Sequence, residues 1–238
     1  GLVWAHKEKR EKALSFYEKS LRIYLEIDEF HQSAGLLWNN MGVCWDVLGE
    51  YDKAIAHYEK SLAIDLKNYG EESEVVANRQ ANLGAVWQKC GEYDKSLYYL
   101  DKALLTSLKI YGEDHPEIAI VKNNLGMLHE KRGEYTKALD YNQQALDIDL
   151  STFGEKHPAT ATDLTEIGSC WEALQNYPKA EECFTRAQAI LLTMPDRKAY
   201  LDEVEERLAG VREKNASRTK GSFFGELIKK LTGKTRSS

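Results

Sequence analysis

Asparagine side chains recur at a fixed spacing and are the residues in this sequence best suited to hold a ligand. Asn40, Asn82 and Asn124 are 42 residues apart, and Asn39 and Asn123 stand directly before two of them. A carboxamide offers both a hydrogen-bond donor and an acceptor, so it can pair with the backbone of a peptide of any sequence. The pattern predicts contacts with an extended polypeptide. The spacing leaves one alternative open, in which these amides join neighbouring helices.

Carboxylates accompany the asparagines at related positions. Asp46, Glu130, Glu166 and Glu172 would make the same surface acidic, which favours a basic or amide-rich partner. A solvated helix face with no ligand is the alternative interpretation of these charges.

The sequence offers little that predicts catalysis. No two cysteines form a C-x2-C pair, so we do not expect a zinc site. We expect the cysteines to be reduced and buried. His115 and His157 each precede a proline at equivalent loop positions, which the repeat geometry explains without chemistry. We therefore predict no enzyme activity, no metal and no cofactor.

Internal repeats dominate the chain and must position these side chains. Four segments align without a gap, and each begins 42 residues after the one before. They are GEYDKAIAHYEKSL from Gly49, GEYDKSLYYLDKAL from Gly91, GEYTKALDYNQQAL from Gly133 and QNYPKAEECFTRAQ from Gln175. A partial copy, EKREKALSFYEKSL, starts at Glu8.

The spacing within each copy is helical. An apolar residue followed by glycine, as in Met41-Gly42, precedes an aromatic such as Trp45 by three residues, and small residues recur further on. Such a pattern predicts two antiparallel helices that pack closely at the glycine, with the aromatic filling the remaining wedge. One pair cannot bury its apolar face alone, so we expect an all-α solenoid of stacked pairs.

The segments between the copies contain helix-ending and helix-starting residues. Gly70, Gly112 and Gly154 suit the left-handed position that ends a helix. Pro116 and Pro158 suit the first position of the next helix.

The repeats resemble the tetratricopeptide repeat (TPR), in the 42-residue form found in kinesin light chains. The likeness is carried best by LWNNMG from Leu37 and VKNNLG from Val121, and it covers residues 8–190. It implies a right-handed superhelix of antiparallel helix pairs and a concave groove that binds a partner peptide. No heptad coiled coil like that of kinesin light chains is visible in this sequence.

The resemblance implies which side chains face the groove. They are those one and two positions before the apolar-Gly pair and those one and four positions after the glycine. The predicted groove residues are Asn39, Asn40, Val43, Asp46, Asn82, Gln88, Asn123, Asn124, Met127, Glu130, Thr165 and Glu172.

The repeat pattern also predicts the boundaries of the chain's segments. We expect a partial repeat at 1–34, full repeats at 35–76, 77–118, 119–160 and 161–194, a capping helix at 196–212 and a basic amphipathic tail at 213–238. Pro195 is expected to stop the last repeat, and residues 214–221 to form a flexible linker.

The tail then carries an apolar stripe at helical spacing. Its members are Phe223, Phe224, Leu227, Ile228 and Leu231. That stripe could dock on the solenoid, bind a membrane surface or another partner, or have no role.

Charge and composition limit the classes of function. The 238 residues have a net charge of −6, and residues 212–238, with eight Lys or Arg and two Glu, contribute +6, which leaves −12 for residues 1–211. Such an acidic body is poorly suited to bind nucleic acid. No apolar run is long enough to span a membrane, and reduced cysteines suggest the cytoplasm.

Together these observations predict a cytoplasmic adaptor that holds an extended or helical segment of another protein in its groove. The alternative is a regulatory or sensor array from a larger protein, self-docked by its basic tail.

Overall fold

The computed structural model describes the backbone of residues 2–233 and the side chains of residues 8–218. Within these ranges the chain is helical, and no strand is present. The helices fall into two compact units, Gly1–Arg132 and Gly133–Ser238.

Each unit consists of consecutive helices that pack against their neighbours in the chain. Unit 1 contains α1 (Leu2–Ile27), α2 (Gln32–Val47), α3 (Tyr51–Tyr69), α4 (Glu74–Lys89), α5 (Tyr93–Tyr111) and α6 (Pro116–Lys131). Unit 2 contains α7 (Tyr135–Phe153), α8 (Pro158–Ala173), α9 (Tyr177–Leu191), a 3₁₀ turn (Pro195–Arg197) and α10 (Lys198–Gly233). The all-helical repeat architecture expected from the sequence is confirmed.

The helix lengths reproduce the sequence period. The helices α3, α5 and α7 have 19 residues each, and α4, α6 and α8 have 16 each. The first helix of each full repeat is here called the A helix and the second the B helix. The B helix is the longer one in three repeats, whereas in the last repeat α9 has 15 residues and α8 has 16. The A helices are α2, α4, α6 and α8, and the B helices are α3, α5, α7 and α9.

The loop histidines cap the N-termini of two A helices. His115 Nδ1 accepts a hydrogen bond from the Glu117 amide, its ring stacks on Tyr111 with centroids 4.1 Å apart, and Pro116 is the first helical residue. His157 repeats the arrangement with the Ala159 amide. These histidines satisfy backbone donors that a helix start leaves unpaired.

The loop glycines have positive φ but differ from the predicted left-handed conformation. Gly70 has φ 76° and ψ 175°, and Gly112 and Gly154 are close to the same values. This region is open almost solely to glycine, whereas the left-handed helical region also accepts asparagine. The chain takes this conformation as it leaves the helix, while the Gly70 amide still donates to the Leu66 carbonyl at 3.0 Å.

The side chain that packs on each helical glycine is not the aromatic predicted from the sequence. A methyl group on Gly42 would lie 2.7 Å from the Tyr58 ring, and Gly168 faces Phe184 in the same way. The space beside each glycine is therefore filled from the B helix. The aromatic three residues later, such as Trp45, is only partly buried, and the Lys53 ammonium lies 4.4 Å from its ring centroid.

The C-terminal helix α10 is longer than the capping helix predicted for 196–212. It begins at Lys198, after the 3₁₀ turn that Pro195 starts, and runs through the predicted linker to Gly233. No proline follows Pro195 to interrupt it. Within α10, Gly210 stands one full period after Gly168, so this helix occupies the position of an A helix in a fifth repeat.

Gln175 is the one non-glycine residue with positive φ in the described part of the chain, at 58°. In the other repeats this position is glycine, at φ 74° to 79°. We expect Gln175→Gly to raise the free energy of unfolding by about 0.5–1 kcal/mol, because it removes the strain of a side chain in this region. Urea denaturation measures the change, and Gly91→Gln, the reverse substitution, should lower stability. A less stable Gln175→Gly variant would contradict this account.

Candidate functional site

The A helices of unit 1 present one common surface, here called the A face of unit 1. It is formed by α2, α4 and α6, and it carries ten of the twelve predicted groove residues. Direct side-chain bonds join α2 to α4, and α4 also packs against α6. The structure thus brings these ten residues onto three adjacent helices.

An amide pair lies at the centre of the contact between α2 and α4. Asn82 Nδ2 donates to Asn39 Oδ1 at 3.0 Å, and Asn39 is buried. This hydrogen bond agrees with the second interpretation of the asparagines, in which their amides join neighbouring helices. Asn40 and Asn124 remain partly exposed, and so does Asn123.

The charge on the A face of unit 1 is partly compensated. Both oxygens of the Asp46 carboxylate lie 2.7 Å from Lys89 Nζ. The repeat pattern gives no sign of this contact, because it joins residues on different repeats. The acidity expected of this surface is therefore reduced at Asp46. Gln88, next to Lys89, and Glu130 are partly exposed.

Exposed apolar side chains form a second set on this surface, and most of them were missed from the sequence. On α2, Leu36, Val43 and Val47 are spaced along one stripe and are 53%, 42% and 54% exposed. On α6, Ile120 and Met127 occupy the positions equivalent to Leu36 and Val43 and are also exposed. Helical spacing from Val43 would have identified Leu36 and Val47.

The two remaining predicted groove residues lie in unit 2, on α8, beside α10. Thr165 is buried, and its hydroxyl donates to the Ala161 carbonyl at 2.8 Å. Glu172 forms an ion pair with Lys214 of α10 at 2.7 Å. The structure therefore places these two residues against the chain's own C-terminal helix.

Two further side chains of α10 bond to α8 or to the turn that follows it. Arg207 Nη1 donates to the Ser169 hydroxyl, and Arg218 Nη1 donates to the Gln175 carbonyl at 2.7 Å. The first residues of the predicted linker, 214–218, are therefore helical and form hydrogen bonds with unit 2. The side chains of the predicted tail stripe lie outside the described part of the structure. They are those of Phe223, Phe224, Leu227, Ile228 and Leu231.

None of the four cysteines, all of which lie in the described part of the chain, forms a disulfide. Burial raises the pKa of the Cys183 thiol to about 11 and also raises that of Cys44, so both stay protonated at neutral pH. Cys170 is buried as expected, whereas Cys90 is exposed, because it follows the last turn of α4.

The described residues give no sign of a metal site or of a membrane-spanning helix. They contain no cluster of three or more His, Cys, Asp or Glu side chains arranged to hold a metal ion. Among the same residues, no helix combines the length and the apolar character that a membrane crossing requires.

Antiparallel helix pairs that recur with the period of the sequence define an α-helical repeat protein. Two family models, both described as tetratricopeptide repeat, match the chain over residues 36–68 and over the overlapping ranges 77–151 and 121–193. These ranges cover more than half of the 238 residues. The chain belongs to the tetratricopeptide-repeat family.

Solved structures with the same fold include kinesin light chain-like proteins. BtubC (BKLC) from P. vanneervenii is 28% identical, with a TM-score of 0.69 over 78% of this chain and 74% of that one. TPR-like repeats of a Podosopora anserina kinesin light chain-type protein are 18% identical, with a TM-score of 0.65 over 82% of this chain and 94% of that one. The apo form of RapI is 18% identical, with a TM-score of 0.72 over 97% of this chain and 86% of that one. The comparison with curated proteins found no match.

Proposed function

We propose that the A face of unit 1 binds an extended or helical segment of another protein and that the chain acts as an adaptor. The observation that carries this proposal is the stripe of exposed Leu36, Val43 and Val47 beside partly exposed amides. Apolar anchors next to hydrogen-bonding groups suit a peptide, because the anchors bury its side chains while the amides pair with its backbone.

The partner's chemistry follows from these side chains. With Asp46 paired to Lys89, the surface is less acidic than its sequence suggests. The partner segment should therefore carry apolar side chains at its centre, and a strongly basic segment is not required. We place the adaptor in the cytoplasm, because none of its four cysteines forms a disulfide.

A capture experiment with matched variants tests this proposal. A photo-reactive amino acid at position 43 should cross-link to a segment of the partner, which mass spectrometry of the conjugate identifies. We expect Val43→Asp combined with Met127→Asp to reduce capture of that partner at least tenfold, because each change places a carboxylate where an apolar side chain should be buried. Ile23→Asp on α1, also an exposed position, should leave capture unchanged.

The Ile23→Asp control shows whether any loss of capture is specific to the A face of unit 1. Circular dichroism should show equal helicity for all variants, since every altered side chain is exposed. If capture persists in the double variant and is lost with Ile23→Asp, binding lies away from the A face of unit 1.

A regulatory array is the second candidate function, and the contacts of α10 favour it. Lys214 of α10 bonds to Glu172, a predicted groove residue on α8, and Arg218 bonds to the Gln175 carbonyl in the turn after α8. In a regulatory array, release of α10 would expose these positions. The same capture experiment separates the two functions: Lys214→Glu with Arg218→Glu should increase capture if α10 is inhibitory and leave it unchanged in a simple adaptor.

A further inference from the structure

A cavity of about 250 Å³ in unit 2 is lined by the loop before α8, by α8 and by the end of α9. Leu164 of α8 and Ile190 of α9 form its apolar interior, and both side chains are buried. Lys156 of the loop and Arg186 of α9 lie at its exposed mouth. The other lining residues are Glu155, Ala189 and Thr193. The cavity therefore combines an apolar interior with a charged mouth that solvent reaches.

Unit 1 contains a cavity at the same place in the repeat. It has a volume of about 280 Å³ and is lined by residues of α3, the loop before α4, α4 and α5. Each residue that lines the unit 2 cavity has its counterpart, two repeats of 42 residues earlier, among the residues that line this one. The two cavities can therefore be compared side chain by side chain.

The unit 2 cavity has the more apolar interior at the positions that the two share. Leu164 stands where unit 1 has Gln80, and Ile190 stands where unit 1 has Thr106. Both replacements remove a polar group that an apolar ligand would leave without a hydrogen bond. Since an apolar cavity of about 150 Å³ is enough to hold benzene, a cavity of about 250 Å³ has room for a second fused ring.

The charges at the mouth also differ between the two cavities. In unit 1, Lys109 Nζ lies 2.6 Å from Glu72 Oε1, so the two charges compensate each other. The equivalent residues in unit 2 are Thr193 and Lys156, which provide a hydroxyl and an ammonium. The Thr193 hydroxyl donates to the Ile190 carbonyl at 2.7 Å. The Lys156 ammonium is therefore not compensated by the residue at the position of Lys109.

The mouth of the unit 2 cavity carries a net positive charge. Its lining side chains include two cations, Lys156 and Arg186, and one carboxylate, Glu155. The lining of the unit 1 cavity has two Glu and two Lys, which balance. Neither Lys156 nor Arg186 forms an ion pair within residues 8–218. A net charge of +1 beside an apolar interior is complementary to an apolar molecule with a single negative charge.

We propose that the unit 2 cavity binds a small carboxylic acid with an apolar body of about ten carbon atoms. The apolar body is buried against Leu164 and Ile190, and the carboxylate is bound by Arg186 and Lys156. A guanidinium suits this role, because it can bond to both oxygens of a carboxylate at once. The site shares no residue with the A face of unit 1, so it does not depend on the function proposed for that surface.

A matched pair of small molecules tests the site in the parent protein. 2-Naphthoate should shift the backbone amide resonances of Ala189 and Thr193 in a saturable manner, because both residues line the cavity. 2-Naphthamide has nearly the same shape but no charge, so it should bind roughly fivefold more weakly. Added salt should weaken the binding of 2-naphthoate and leave that of 2-naphthamide unchanged, because only the first depends on charge.

Variants that copy unit 1 identify the side chains responsible. Lys156→Glu combined with Thr193→Lys introduces the ion pair of unit 1 and removes the net charge, so it should weaken the binding of 2-naphthoate roughly fivefold and leave that of 2-naphthamide unchanged. Arg186→Gln should have the same effect. Lys102→Gln, the matched substitution in unit 1, should change neither affinity. Because all these side chains are exposed, circular dichroism should show equal helicity for the variants and the parent.

Several results would overturn the proposal. They are the lack of saturable shifts up to the solubility limit of 2-naphthoate, equal affinity of the two probes for the parent protein, and undiminished binding of 2-naphthoate to both the double variant and Arg186→Gln. Competition by an equal concentration of acetate would show that the apolar interior contributes nothing. Tighter binding of 2-naphthyl phosphate would assign the site to phosphate esters, and tighter binding of N-acetyl-L-phenylalanine would assign it to the C-terminus of a polypeptide.

Discussion

Gly168→Ala is expected to lower the free energy of unfolding by about 2 kcal/mol. The added methyl carbon would lie 2.8 Å from Phe184 Cε1, and Phe184 is fully buried, so its ring has no free space to enter. Overpacking of this kind costs about 1–3 kcal/mol or more, which outweighs the gain of about 1 kcal/mol from replacing glycine by alanine in a helix. Urea denaturation followed by circular dichroism measures the difference.

Gly210→Ala provides the matched control for that substitution. Gly210 is the equivalent residue one repeat further along, in α10, and a methyl group there would meet nothing within 4 Å. The same substitution should therefore stabilise the protein by up to about 1 kcal/mol. Equal effects at the two positions would show that helix propensity, and not the contact with Phe184, determines the result.

Asp65→Asn is expected to destabilise unit 1 by about 2–3 kcal/mol. The Asp65 carboxylate, which is nearly inaccessible, accepts from Arg79 Nε at 2.8 Å, and the Ser61 hydroxyl oxygen lies 3.3 Å away. Burial raises the pKa of Asp65, and the Arg79 guanidinium partly offsets that effect. The loss of stability on substitution comes from Arg79, because its guanidinium would no longer have a carboxylate partner. Removing one partner of a buried ion pair costs about 3–5 kcal/mol. We expect somewhat less here, because the Arg79 side chain is still 11% exposed.

The equivalent substitution two repeats later should have the opposite sign. Asp149 and Asp163 occupy the positions of Asp65 and Arg79 there, so a carboxyl replaces the guanidinium. Burial raises the pKa of Asp149 despite its hydrogen bond with Asp163. A raised folded-state pKa means that the ionised side chain lowers stability as the pH rises above about 4. Asp149→Asn should therefore stabilise the protein at pH 7, by about 1 kcal/mol.

The pH dependence distinguishes this explanation from a general effect of asparagine. The advantage of Asp149→Asn over the parent should shrink as the pH falls through about 4, because the parent carboxyl then becomes protonated in the unfolded state as well as in the folded one. Thermal unfolding at several pH values measures this trend. Stabilisation that is independent of pH would refute it.

The repeat pattern was sufficient to predict the helices but not every contact between them. Four aligned copies fixed the period, and Pro116 and Pro158 marked where two A helices begin. Loop conformation was harder, because a glycine such as Gly70 is compatible with several regions of positive φ. The length of α10 was also missed, since its sequence contains both glycines and polar residues that resemble a linker.

In the candidate sites, too, the position of a residue within the repeat was predictable, whereas contacts between repeats were not. The resemblance to other repeats predicted that Asn40, Val43 and Asn124 lie on one surface, because that prediction depends only on position within each repeat. The Lys89 contact with Asp46 depends on side-chain reach between two repeats. A cavity lined by Leu62, Leu66, Gln80 and Leu105 depends on what the neighbouring helices leave unfilled. Neither property is encoded in a periodic pattern read along one chain.

The regular helix lengths have a consequence for how such a chain can grow. The loops 70–73 and 112–115 have the same length and the same glycine conformation, so the segment from one loop to the next forms an interchangeable cassette. A tandem duplication with both breakpoints in these loops would join matching ends, leave the helix boundaries intact and extend the array by one repeat. Unequal recombination between copies of a gene could thus lengthen the binding surface in whole steps without creating a new junction.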